Sequence, residues 1–295
     1  MATLVDAGPT EPAPAQAAGY WAGVARRFRR DPVAIGAGLV ILLLVLTAVF
    51  APYIAPKDPY AGMALRRLRP FGTPGFPFGS DELGRDMLSR LIHGARLSLF
   101  IGVTPVLIAF VLGSGIGIFA GYVGGRLNTL VMRTIDVFYA FPSVLLAVAL
   151  SGALGAGFGN ALLSLTIVFI PPIARVAEAV TTQVRSRDFV EAARASGAGA
   201  VAIVRHHVLG NVLGPIFVYA TSLISVSMIL ASGLSFLGLG VRPPEPEWGL
   251  MLNTLRTAIY VQPWVAALPG AAIFVTSISF NILSDGLRSA MDVKQ

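Results

Sequence analysis

The sequence contains no cysteine and little charge. The absence of cysteine from all 295 residues excludes disulfide bonds, thiolate metal ligands and cysteine nucleophiles. Charged residues make up 13% of the chain and hydrophobic residues 55%, so polar groups cannot cover the surface of a soluble globule of this length. We therefore predict a protein that is embedded in a lipid bilayer.

Lysine and histidine are also scarce. Lys57 and Lys294 both lie outside any G-x-x-x-x-G-K-[ST] segment, the loop whose lysine contacts the terminal phosphates of ATP. The three histidines have no H-E-x-x-H motif or carboxylate cluster beside them. We expect no ATP site, metal site, cofactor or catalytic residue. The net charge of +7 could suggest nucleic acid, but most arginines flank apolar runs, as anchors facing membrane lipid do.

Six apolar stretches predict an all-α, polytopic membrane protein with six transmembrane helices. The first follows the basic segment "RRFRRDP" and provides the about 20 residues that cross hydrocarbon, whereas the apolar region of a signal peptide is shorter. The glycine-rich segment "GALGAGFGN" indicates a turn between the third and fourth spans. The predicted spans are Val33 to Pro56, Leu97 to Gly125, about Leu130 to the turn at Gly152, about Ala161 into Arg175, Asn211 to Gly240, and Val265 to Leu283.

Basic residues before the first span predict the orientation. Arg26, Arg27, Arg29 and Arg30 place the N-terminus in the cytoplasm by the positive-inside rule, and six crossings return the C-terminus there. The predicted divisions are a flexible cytoplasmic tail (1–31), the first transmembrane helix with an extracytoplasmic amphipathic segment (32–96), a five-helix core with a cytoplasmic loop at about 185–210 (97–290), and a cytoplasmic C-terminus (291–295).

The segment "FGSDELGRDMLSRLIHGAR" predicts a short amphipathic helix between the first two spans. Ser80 is a plausible N-cap and Gly94 a plausible end, and Leu83, Met87 and Leu91 recur every four residues. The pattern is compatible with a helix on the membrane surface and equally with an ordinary packed helix.

Three glycines in the second span recur at every fourth position. Gly113, Gly117 and Gly121 therefore share one helical face, and the missing side chains would let another helix approach closely. This spacing predicts helix packing and not catalysis.

Asp136 lies in the first turns of the predicted third span. An aspartate inside a span could relay protons. Arg133, one turn earlier, and a position near the lipid headgroups favour a structural role. An ion-coupled secondary transporter, with Asp136 or Glu178 carrying protons, stays open as an alternative class.

The loop segment "RDFVEAARASGAGA" carries a charge-bearing, alanine-rich helix. Ala192 and Ala193 favour helix without a thick layer of side chains, and Gly197 lets the backbone bend. Such a helix fits a groove on another protein, with Phe189 as an apolar anchor and Glu191 and Arg194 as polar contacts.

At this segment the chain resembles the permease subunits of ATP-binding-cassette (ABC) importers, whose loop pattern is E-A-A, three residues, G, nine residues, I-x-L-P. Glu191, the two alanines, Gly197 and Leu209 are in register, while His207 and Gly210 depart from the pattern. Further blocks, including "GYVGGRLNTLVMRTIDVFYAFPSVLLA", "SFLGLGVRPPEPEWGLML" and "NILSDGLRSAMD", resemble the C-type permease of dipeptide, oligopeptide and nickel importers, in its order.

This resemblance implies a type I ABC importer permease that forms half of a translocation pathway. The implied partners are a homologous B-type permease, two cytoplasmic ATP-binding subunits that hold ATP and magnesium, and an extracytoplasmic substrate-binding protein. The loop at Glu191 to Gly197 would be the coupling helix. The subfamily favours a di- or oligopeptide as the substrate, with nickel or another solute as the alternative.

Overall fold

The computed structural model describes residues 20–291, which form helices, turns and two isolated β-bridges. Residues 1–19 of the predicted tail and residues 292–295 of the predicted C-terminal segment lie outside this range, and the remainder of the tail contains a helix. The helices are α1 (Tyr20–Phe28), α2 (Pro32–Val49), α3 (Ala51–Ile54), α4 (Met87–Val123), α5 (Gly125–Tyr139), α6 (Ser143–Leu154), α7 (Phe158–Arg185), α8 (Asp188–Ala195), α9 (Ala200–Ile203), α10 (Leu209–Phe236), α11 (Trp248–Thr254) and α12 (Pro263–Met291). Ala64–Arg66 and Ala258–Tyr260 form 3₁₀ turns, and Val204–Val208 forms a π-helical turn.

Within residues 20–291, five helices are long and apolar enough to cross a membrane: α2, α4, α7, the combined stretch Ala200–Phe236, and α12. The third predicted span is instead a broken one, because α5 and α6 meet at an angle of 84°. Pro142 disfavours helical geometry at Phe141, so α5 ends before it and α6 begins after it. Counting the bent pair as one span gives six crossings.

The packing of α4 against α7 shows why α5 and α6 together must cross the membrane. Gly113 lies against Ile170, and Gly121 lies against Thr181, so residue numbers rise together along the two helices. The helices are therefore parallel. A chain that leaves one end of α4 must return to the other side of the bundle before α7 begins, and α5 with α6 makes that return.

The two ends of the described chain lie on the same side of the bundle. Arg27 Nε donates a hydrogen bond of 2.7 Å to the carbonyl of Ala290, and Gly286 of α12 lies against Ala34 of α2. We name this the terminal side and the opposite one the far side. By the path of the chain, α4 and α7 both end on the terminal side.

The predicted amphipathic helix over residues 80–93 is only partly present: residues 87–93 are helical, as the packed start of a longer helix, and residues 80–86 are not. Residues 80–86 form a bridge and turns, in which the Asp81 carboxylate accepts from the backbone N–H groups of Leu83 and Arg85. The helix begins at Met87, where the Asp86 side chain accepts from the N–H of Ser89, and runs on to Val123. Gly94 does not end it.

Candidate functional site

Helix α8 lies on the terminal side, directly after α7. Asp188 and Glu191 occupy its first turn and Arg194 its last, which complements the helix dipole. The side chains of Phe189, Glu191, Ala192 and Arg194 are exposed, and Ala193 is half-buried. Most of the five side chains proposed for partner contact are therefore accessible to another protein on this one short helix.

Val190 is the residue that attaches α8 to the bundle. Its side chain is fully buried, whereas that of Phe189 is 43% exposed with its ring centroid 6.4 Å from that of His207. The sequence-based choice of Phe189 overlooked Val190. The recurrence of Val190 and Ala193 three residues apart is the signal that identifies the buried face.

Gly197 ends α8 through a specific backbone conformation. Its φ is +81°, in the left-handed region that favours glycine. The N–H of Gly197 donates to the carbonyl of Arg194, and the N–H of Ala198 donates to that of Ala193, both at 3.1 Å. This pair of bonds is the Schellman arrangement, so Gly197 is required by the turn itself.

A π-helical turn joins the loop to α10. The predicted start of the fifth span at Asn211 is wrong, because a continuous helical path runs from Ala200 to Phe236. His207, one of the two departures from the importer loop pattern, lies inside the π-helical turn at Val204–Val208, and Gly210, the other, lies in the first turn of α10. Val208 is fully buried and holds the turn against the bundle.

Polar contacts tie the end of α7 to α4 and α5. Arg185 Nη1 donates to the carbonyls of Gly121 and Tyr122 at 3.3 and 3.2 Å. Asn128 of α5 donates to the Glu178 carboxylate at 2.7 Å. These bonds join α7, next to α8, to α4 and α5, and we call them the base of α8.

Asp136 pairs with Arg175 of α7, and the sequence-based choice of Arg133 as its partner is wrong. Both side chains of this ion pair are partly exposed, and the Arg175 guanidinium also lies 5.8 Å from the ring centroid of Tyr139. The partner is 39 positions away and belongs to another helix, so spacing along one helix could not reveal it.

The predicted packing glycines line the contact between α4 and α7. A Cβ atom at Gly117 would lie 2.6 Å from the Cβ of Ala177, and one at Gly113 would lie 2.9 Å from the carbonyl oxygen of Ile170. The backbone of α4 therefore approaches α7 more closely than any side chain on this face would allow.

A buried carboxylate organises the far side, and sequence reasoning did not find it. Glu247 is fully buried; its carboxylate accepts from the N–H groups of Gly249 and Leu250, both at 2.8 Å, and from the Ser98 hydroxyl. Burial raises the pKa of this carboxyl, and the two backbone bonds oppose that shift. Trp248 packs beside it on Gly94, where an added Cβ would lie 2.9 Å from the indole ring.

Glu247→Ala should lower the thermal midpoint of the purified protein. The substitution leaves two buried N–H groups at the start of α11 without an acceptor, at a cost of about 1–2 kcal/mol. Glu245→Ala is the matched control, because that carboxylate accepts only from the exposed hydroxyl of Tyr60 among the described hydrogen bonds. Equal midpoints for the two variants would show that Glu247 has no capping role.

A second polar cluster closes the far-side segment before α4. Arg85 pairs with Asp81 at 2.6 Å, and Arg90 donates to the carbonyl of Pro59 at 3.0 Å. These side chains are almost fully buried. Within residues 20–291, no group of three or more His, Asp or Glu side chains is placed to hold a metal ion.

A bundle of six crossings with a short exposed helix at one side is the architecture of a membrane transport permease. Two family descriptions match the chain: "Binding-protein-dependent transport system inner membrane component" over residues 113–294, and "N-terminal TM domain of oligopeptide transport permease C" over residues 19–70. The chain belongs to the family of binding-protein-dependent transport system inner membrane components. It is a multi-pass protein of the cytoplasmic membrane.

Curated relatives match along nearly their whole length. The glutathione transport system permease protein GsiD of Pectobacterium atrosepticum is 40% identical over 93% of this chain and 91% of its own. The di/tripeptide transport system permease protein DppC of Pseudomonas aeruginosa is 43% identical over 90% of each. These similarities confirm the resemblance to C-type peptide permeases.

A solved structure confirms the predicted fold. A chain of the MetNI methionine ABC transporter, in an inward-facing conformation, superposes with a TM-score of 0.56 at 21% identity. The match covers 69% of this chain and 97% of that one. The all-α fold of an ABC importer permease is therefore confirmed.

Proposed function

We propose that this chain is a permease subunit of an ATP-driven importer of small peptides. It would form half of the pathway with a homologous B-type permease, and a substrate-binding protein would deliver peptide on the far side. Two ATP-binding subunits would hold ATP and magnesium, so that this chain itself catalyses no reaction. The names of its relatives, which specify glutathione and di/tripeptide transport, support the choice of substrate.

We propose that the terminal side faces the cytoplasm and that α8 is the coupling helix. The observation that best supports this proposal is the structure of α8 itself. The helix has an exposed, alanine-rich face, packs on the bundle through Val190, and ends at a turn that Gly197 forms. Orientation is supported by Arg26, Arg27 and Arg29, which flank the start of the first span on that side.

The geometry suggests how movement of α8 would reach the pathway. Closure of the ATPase subunits would shift α8, which is joined to α7 by residues 186–187 and to α9 and α10 by the turn at residues 196–199. Because α7 packs closely along α4 and is tied to it by Arg185, these spans would move together. ATP would bias the pathway only if the ATPase cleft fits α8 differently in its two states.

Transport by the purified assembly tests this function. The chain would be reconstituted in liposomes with its B-type partner and ATPase subunits, and supplied with the binding protein and labelled dipeptide, tripeptide or nickel. We expect ATP-dependent uptake of the peptides. Saturable uptake of nickel alone would refute the peptide substrate, and peptide uptake by this chain without ATPase subunits would refute the mechanism.

Asp136→Asn separates this function from ion-coupled transport. Because the Asn oxygen can still accept a hydrogen bond from the Arg175 guanidinium that pairs with Asp136, this substitution should leave ATP-driven uptake within about twofold of the unsubstituted level. A secondary transporter that uses Asp136 would lose uptake entirely. Uptake is to be measured with and without a protonophore, which should have no effect on the ATP-driven flux.

A further inference from the structure

Basic side chains are concentrated where the chain enters its first span. The last turn of α1 and the turn before α2 together carry Arg26, Arg27, Arg29 and Arg30. The one acidic residue between Tyr20 and Val33 is Asp31, whose carboxylate is the N-cap of α2. Four arginines against one aspartate leave this short stretch with three net positive charges.

The backbone of this stretch is fixed on the bundle. Arg27 Nε donates to the carbonyl of Ala290 at the end of α12, at 2.7 Å. The N–H of Arg29 donates to the carbonyl of Ala25, and the N–H of Arg30 donates to that of Arg27, both at 3.0 Å. The arginines are therefore held in a defined position beside the first span.

The side chains of Arg26, Arg29 and Arg30 are directed away from the bundle. All three residues are exposed, and their guanidinium groups take part in none of the hydrogen bonds or ion pairs within residues 20–291. Val24 is the buried residue of α1, and Arg26, two positions later, lies on nearly the opposite face of the helix. These three arginines can thus bind an anion outside the bundle.

Helix α2 lies at the edge of the bundle. Of its 18 apolar residues 17% are buried, against 44–56% in the corresponding segments of the other four long helices. Val33 is 64% exposed and Leu39 55%. Because 18 residues make a helix about 27 Å long, close to the about 30 Å of hydrocarbon in a bilayer, the start of α2 marks one boundary of the hydrocarbon layer.

This depth brings the three arginines to the lipid headgroups. Arg30 precedes Val33 by three positions, which span at most about 10 Å of chain. The headgroup layer occupies about 5–8 Å beyond the hydrocarbon on each side, and a long arginine side chain can place its guanidinium group there. Lipid phosphates are the anions of this layer, and a guanidinium group binds phosphate through paired hydrogen bonds.

We propose that Arg26, Arg29 and Arg30 form a binding surface for the headgroups of anionic lipids. The proposal depends on the membrane location of the chain and not on the substrate that it transports. Each arginine beside a negatively charged lipid surface strengthens binding about fivefold, so the three together favour anionic over zwitterionic lipid.

Lipid quenching beside α1 tests this proposal, since the chain has no cysteine of its own. Ala25→Cys is an exposed position four residues before Arg29, so a fluorophore attached there lies on the same side of the helix. The full chain would be purified with cysteine-free forms of any subunits that remain bound. It would then be reconstituted with brominated phosphatidylglycerol or, at the same mole fraction, brominated phosphatidylcholine.

We expect brominated phosphatidylglycerol to quench the fluorophore several times more strongly than brominated phosphatidylcholine. Replacing all three arginines by glutamine should remove this difference, and replacing them by lysine, which keeps the charge, should retain most of it. The matched control removes three exposed arginines from the far side and should leave the difference unchanged; it combines Arg66→Gln, Arg67→Gln and Arg69→Gln.

High salt provides a second test that needs no substitution of the arginines. It screens exposed charges, so it should reduce the difference between the two lipids, even if the glutamine variant fails to insert. Equal quenching by the two lipids at low salt would overturn the proposal. Quenching by neither lipid would overturn it in favour of a subunit that covers α1, and loss of the difference in the far-side control would reduce it to a general effect of net charge.

Discussion

Gly197→Asp should reduce ATP-driven peptide uptake to background while the protein remains assembled in the membrane. The φ of +81° at this position costs a residue with a Cβ about 1–2 kcal/mol, so the turn after α8 would rearrange. Nothing in the described chain lies within 4 Å of the added Cβ, so the bundle itself should tolerate the substitution. The defect is therefore expected in coupling and not in folding.

Three further variants test this interpretation. Gly199→Asp adds the same side chain two residues later, where φ is −67° and aspartate is a favourable N-cap for α9, so it should retain much more uptake. Glu191→Lys reverses an exposed charge without altering the turn and should also abolish uptake, whereas Glu191→Gln should keep part of it. Uptake in liposomes and recovery of the assembled complex are the two measurements. Normal transport by an assembled Gly197→Asp complex would remove α8 from the coupling mechanism.

The sequence predicted the spans well because each span carries its own signal. A membrane-crossing helix needs a long apolar run, and five such runs appear as single helices. The break between α5 and α6 escaped prediction because it lies inside an uncharged region, and the proline at its centre, Pro142, was not considered as a helix boundary.

Features that depend on distant contacts were not predictable in the same way. Ser80 and Asp86 are both suitable N-caps, but the Ser80 hydroxyl accepts from the N–H of Arg69, eleven positions away, at 2.8 Å, and α4 starts after Asp86. The apparent helix end at Gly94 instead accommodates Trp248, more than 150 residues away. Local pattern alone does not distinguish a glycine that ends a helix from one that admits a neighbour.

The site shows the same division between local and distant signals. The composition of α8 and the spacing from Glu191 to Gly197 indicated a helix for partner contact. The base of α8, which would pass its movement to the spans, consists of two sets of hydrogen bonds. Arg185 donates to the carbonyls of Gly121 and Tyr122, and Asn128 donates to the Glu178 carboxylate. These partners come from three helices, and their pairing depends on the parallel packing of α4 and α7.

Gly117→Leu should prevent the protein from accumulating in a folded form. A Cβ at this position would lie 2.6 Å from the Cβ of Ala177 and 2.8 Å from the backbone nitrogen of Glu178, so α4 and α7 would have to separate. Overpacking of this kind costs about 1–3 kcal/mol even where side chains can move, and here the obstacle includes backbone. Because Arg185 and Glu178 lie at the same contact, the base of α8 would be lost with it.

Gly115→Leu is the matched control for this prediction. Gly115 lies two residues away on the same helix, is exposed, and has nothing within 4 Å of an added Cβ in the described chain. Leucine is also a better helix former than glycine, by up to about 1 kcal/mol, so this variant should accumulate at the unsubstituted level and transport peptide. The measurements are membrane yield and thermal midpoint in detergent. If the two variants behave alike, the close approach of α4 and α7 does not limit stability, and the rigid connection proposed between α8 and the spans loses its structural basis.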